Sequence, residues 1–102
     1  MITDFDRLVA ETAAAFQVPE SSITGASRLK RPSMARQVVI TLWTDHHPYI
    51  DAVQRVNRNR HFTAMYARER TYNRIMLEPE FAATVASIAS RCKDEPGEHE
   101  EK

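Results

Sequence analysis

The chain has 102 residues and a mass of 11.7 kDa, with 42% apolar and 27% charged residues, 2 Gly, 5 Pro and a formal net charge of zero. Such a chain folds as one domain, is short of the turn residues of an all-β protein, and has too little core to enclose a nucleotide-binding catalytic cavity. Gly25 and Gly97 are too far apart for a phosphate loop, the single Cys92 excludes an internal disulfide and a cysteine-based zinc site, and no apolar run suits a signal peptide or a membrane span.

Phe5, Leu8, Val9, Thr12 and Phe16 recur at helical spacing and predict a first helix over 3–17, opened by Thr3 with Asp6 as a capping pair. Pro19 can start a short second helix over 19–24, anchored by Ile23 and stopped by Gly25. Residues 26–33 read as a basic loop carrying Arg28, Lys30 and Arg31 and closed by Pro32, with Ser33 placed to cap a third helix over 34–44. There Met34, Ala35, Val38, Val39, Leu42 and Trp43 form the wide apolar stripe of a central helix. Pro48 starts a fourth helix to about Val56.

The polar turn Asn57-Arg58-Asn59-Arg60, with Asn59 as a candidate cap, leads into a fifth helix from His61 to about Met76. Phe62, Met65, Tyr66, Glu69, Tyr72 and Met76 lie close to one stripe and are expected to face the core, leaving Arg68, Arg70 and Arg74 outside it. Glu78-Pro79 then opens a sixth helix to about Arg91, with Phe81, Val85, Ile88 and Cys92 inward. The expected class is all-α: a compact bundle of five to six helices in a domain over 1–93, followed by an acidic disordered tail over 94–102.

The zero net charge hides a strong segregation. Residues 1–27 carry one arginine against four carboxylates, and residues 76–102 carry three cations against seven carboxylates. Residues 28–75 carry nine arginines and one lysine against three carboxylates, a composition suited to gripping phosphates with planar, bidentate donors.

Two short helices joined by a polar turn, the second opening with Arg, Asn, His and Thr, have the layout of a helix-turn-helix. The first residues of such a second helix enter the major groove, and its free N–H groups attract phosphate. Arg58 or Arg60 can chelate a guanine edge, Asn59 an adenine edge, and Thr63 a phosphate or a thymine methyl, with His61 as a further contact and Arg68 on the backbone.

The run Val9-Ala10-Glu11, Phe16-Gln17-Val18, Ile23, the basic loop through Arg28 and Lys30, and Ala35-Arg36-Gln37-Val38 resembles the C-terminal DNA-binding domain of the bacterial replication initiator DnaA. The likeness runs from Val9 to Leu42, extends to two-thirds of the chain with the helix-turn-helix, and is most specific at Arg36-Gln37. It implies a helical bundle related to the Trp repressor, with a minor-groove arginine at Arg28, basic neighbours at Lys30 and Arg31, and a phosphate-binding arginine at Arg36. It also implies a monomeric reader of an A·T-rich box. The family's recognition helix opens Gly-Arg-Asp-His-Thr-Thr-Val; here residues 57–65 read Asn-Arg-Asn-Arg-His-Phe-Thr-Ala-Met, so either Arg58 or Arg60 stands for the signature arginine. In both registers the base-reading trio is altered, so the binding mode is expected to persist with a different sequence preference. The initiator's ATPase domain has no counterpart, and origin opening is not expected of this chain alone.

The resulting expectation is a cytoplasmic, non-enzymatic, stand-alone binder of double-stranded DNA that regulates replication or transcription, without cofactor, metal or membrane partner. The competing expectation is a protein-binding adaptor that keeps the fold without the DNA site. Asp45, His46 and His47 are adjacent and point different ways, which fits a helix end better than a metal site. Cys92 reads as a small core residue, and Trp43, Tyr66 and Tyr72 as core aromatics.

Overall fold

Six helices and short connections make up the described chain: α1 (Phe5–Phe16), α2 (Glu20–Thr24), α3 (Lys30–Trp43), α4 (Tyr49–Arg55), α5 (His61–Leu77) and α6 (Pro79–Cys92). This computed structural model describes residues 1–58 and 61–93, of His61 the backbone only. The expected cap Asn59, the expected contact Arg60, the His61 side chain and the expected tail 94–102 lie outside the described residues. The protein is all-α, and no strand occurs among the described residues.

α3 is the axis. It packs on α1, α2, α4 and α5, while α6 closes the bundle against α1 and α5. Leu8, Ile23, Val38, Val39, Ile40, Val53, Val56 and Ile88 are fully buried between these helices. At the α3 C-terminus the Trp43 ring meets Phe5 edge-on at 5.2 Å and stacks on His47 at 3.7 Å. Its indole N–H donates to Asp51 at 2.6 Å, and the Arg55 guanidinium lies over both Phe5 and Trp43. His47, 2.8 Å from the Ile2 carbonyl through Nε2, thus ties the N-terminus to the end of α3.

Three local expectations change. The α1 cap is Asp4, whose carboxylate accepts from the Arg7 N–H at 3.1 Å, rather than Thr3. α3 begins at Lys30, so Lys30, Arg31, Pro32 and Ser33 belong to its first turn and Ser33 does not cap it. Proline is tolerated there because a first-turn N–H has no intrahelical acceptor to lose. The third change is the larger one: Met65, Tyr66, Tyr72 and Met76 are exposed, as is Phe62, and the inward face of α5 is Ala64, Ala67 and Thr71 with Ile75 partly buried. Small residues allow α5 to lie close on α3, where the Thr41 hydroxyl donates to the Ala67 carbonyl at 3.4 Å.

Candidate nucleic-acid interface

The segments expected to meet DNA are the α2–α3 loop and the turn before α5. α4 ends at Arg55 and the chain turns at Asn57, left-handed at φ 62°, a conformation asparagine tolerates, while the Arg58 N–H reaches back to the Val53 carbonyl at 2.7 Å. That turn aims the Asn57 side-chain amide at the Thr24 carbonyl, to which it donates at 2.6 Å, and Nη1 of Arg58 at the Gly25 carbonyl, 3.1 Å away. The same Nη1 donates to the Val56 and Asn57 carbonyls. The two segments are therefore latched together. Gly25 is needed at this joint because a Cβ there would stand 2.6 Å from the Ser21 carbonyl oxygen.

Arg36 holds the loop from beneath. Its Nε donates to Ile23 O at 2.6 Å, and its Nη2 to Ser22 O at 2.7 Å and Ser27 O at 3.0 Å, with Gly25 O at 3.5 Å. The residue is only 8% exposed, and its pKa is lowered by burial first and by the neighbouring Arg58 charge second. Arg36, expected as a phosphate contact, is held in the structure as a buried brace of the loop.

Arg68 is likewise placed apart from the loop. Its Nη1 donates to the Thr41 carbonyl at 3.0 Å, the Thr44 hydroxyl at 2.7 Å and Asp45 at 3.1 Å, so it closes the C-terminus of α3. Burial works against its charge, but the Asp45 hydrogen bond and nearby Tyr72 and Asp45 charges raise its pKa overall.

Between the first half of α3 and the outer flank of α5 runs a trough of three adjoining hollows. The first, about 120 Å³, is walled by Ser33, Arg36, Gln37, Arg58, Thr63 and Tyr66 among others. Ser33 and Gln37 separate it from the second, about 220 Å³, whose cationic walls are Arg28 and Lys30 from the loop side and Arg70 and Arg74 from α5. Arg70 and Arg74 also wall the third, about 200 Å³, which ends at Leu77 and Glu78. Among the described residues Glu78 is the sole carboxylate lining the three hollows, and it pairs with Arg74 at 3.0 Å. The Arg70 guanidinium sits 5.5 Å over the Tyr66 ring, which holds it along the trough wall.

The structure thus brings Arg28, Lys30, Arg58 and Thr63 to one concave face, and leaves Arg36 beneath it and Arg68 on another side of α5. Arg31 is exposed in the first turn of α3. Tyr66, Arg70 and Arg74 complete the face; the two arginines were expected on the outer side of α5, and Tyr66 in the core. Their spacing of four residues does mark one flank of a helix, but assigning Tyr66 to the core hid it.

Among the described residues no group of three potential metal ligands comes together, and no helix is long and apolar enough to cross a membrane. Fold and trough together define an all-helical protein with a cationic cleft. No protein-family model matches the chain, and no curated protein matches it at a significant level.

Proposed function

We propose that the protein binds double-stranded DNA, with the trough between α3 and α5 following the phosphate backbone, as a small regulator of replication or transcription. The observation that carries the reading is the trough itself: Arg28, Lys30, Arg58, Arg70 and Arg74 line one continuous concavity whose only acid among the described residues is at its far end. Guanidinium groups on rigid helices suit phosphate oxygens, and the latch between loop and turn keeps both binding segments in register. Arg28 extends from the loop towards a narrow minor groove, whose negative potential favours an inserted guanidinium. Arg31 adds a phosphate contact. Asn59, Arg60 and His61, in the sequence leading into α5, supply the base contacts and Thr63 a phosphate contact, and the likeness to the DnaA C-terminal domain supports that division of labour.

The test is fluorescence anisotropy of the full chain with labelled A·T-rich and random duplexes across a salt series. Binding that falls steeply with salt and prefers one duplex supports the reading, while no binding at low salt refutes it. A second reading, a protein-binding adaptor, is favoured by one observation: Met65, Met76 and Leu77 are 51%, 81% and 80% exposed on α5. An adaptor would bind its partner with little dependence on salt and would leave the duplex unbound.

A further inference from the structure

The hollow beside the latch is walled by Ser33, Arg36, Gln37, Arg58, Thr63 and Tyr66, with the apolar Ile40 and Ala67 completing it. We infer that it is a seat for a single phosphate group, formed by Arg58, Ser33, Gln37, Thr63 and Tyr66 above the buried Arg36. It measures about 120 Å³, enough for one tetrahedral oxyanion.

Its charge argues for an anion. Arg36 and Arg58 both border it and stand close enough for the second to lower the pKa of the first, and among the described residues no carboxylate is in its walls. Elsewhere in the fold partly buried guanidinium groups face acids, as Arg68 faces Asp45 and Arg74 faces Glu78. Here two positive charges share a concavity with no counter-charge among the described residues, an arrangement that an oxyanion would relieve.

Its donors are also fixed in place. The Arg58 Nη1 is held by the carbonyls of Gly25, Val56 and Asn57, so its guanidinium is oriented before any ligand arrives. Three hydroxyls and an amide, from Ser33, Thr63, Tyr66 and Gln37, add donors that need no charge of their own. A phosphate accepts from all of these types, and preorganised donors lower the ordering cost of binding it.

For the source of the phosphate the inference rests on the DNA reading; for the seat itself it does not. A backbone phosphate is the expected occupant, and a free phosphomonoester presents the same group. The two are separated by titrating the full chain with inorganic phosphate against chloride at matched ionic strength, following thermal midpoint and amide NMR shifts, and then repeating the DNA titration with phosphate present. Saturable, one-to-one stabilisation by phosphate is expected, weakened at least tenfold in Arg58→Met and severalfold in Thr63→Val, a half-buried position whose replacement leaves the fold intact. Competition between phosphate and DNA, with a salt slope reduced by about one unit in Arg58→Met, would identify the occupant as a backbone phosphate. Phosphate binding without DNA binding would uphold the seat, assign it a free phosphomonoester and refute the DNA reading. No effect of phosphate beyond chloride, or equal effects in the wild type and both variants, would overturn the seat whatever the DNA assay shows.

Discussion

Replacing Arg36 by methionine separates a brace from a phosphate contact. The arginine makes three short bonds, to Ile23 O at 2.6 Å, Ser22 O at 2.7 Å and Ser27 O at 3.0 Å, and hydrogen bonds from a charged donor contribute about 1.5–3 kcal/mol each. Two effects reduce the sum. The variant no longer desolvates a guanidinium or places it beside Arg58, and the methionine stem refills part of the space. The net loss is expected at about 2–4 kcal/mol, a large share of the stability of a domain this size, and lowers the thermal midpoint by about 10–25 °C. Arg36→Lys recovers less than half of it, because one ammonium cannot reach carbonyls on both arms of the loop. Urea unfolding followed by helical circular dichroism measures both variants. A loss below about 0.5 kcal/mol, ordinary for a surface position, combined with weaker DNA binding would show that Arg36 is a phosphate contact and that the brace is wrong.

Gly25→Ala places a Cβ against the Ser21 carbonyl and should cost about 1–3 kcal/mol by chemical denaturation; an unchanged midpoint would mean that the joint yields freely. Met65→Gln and Met76→Gln should each change stability by less than about 0.5 kcal/mol, whereas losses of core size would put the outer stripe of α5 back inside. Asp51 has its pKa lowered, chiefly by the Trp43 indole N–H and then by Arg55, against the opposing effect of burial. A depressed carboxylate contributes stability above its unfolded pKa and loses it as pH falls through the folded one, so denaturation midpoints should drop between about pH 4 and pH 2, less so in Asp51→Asn. Its partial exposure keeps that effect small. Arg70→Ala should weaken duplex binding severalfold and shallow the salt slope by about one unit without loss of stability; an unchanged slope would remove Arg70 from the phosphate contacts.

The helical class and most helix limits were legible because α1 and α6 carry clean apolar rows and proline or glycine marks several ends. The α5 orientation was not. Its large apolar residues form one stripe, and its true inward face is Ala64, Ala67 and Thr71, which periodicity alone ranks below Phe62 and Met65. Close helix packing rewards small side chains, and only the partner helix reveals how close the approach is. The misplaced stripe in turn concealed Tyr66 as a trough residue. Arg36 was singled out from sequence, yet the carbonyls that hold it lie 9 to 14 residues earlier, in a loop whose fold a linear reading does not supply.

The central claim is that the α3–α5 trough is the surface that meets nucleic acid. It is tested most directly by a ¹H–¹⁵N NMR titration of the full chain with a short duplex at low salt. The account predicts that amide shifts concentrate in residues 25–37 and in the α5 segment from Thr63 to Arg74, and that the α1–α6 side stays unmoved. Shifts gathered on α1 and α6, or no shifts at millimolar duplex, would contradict it.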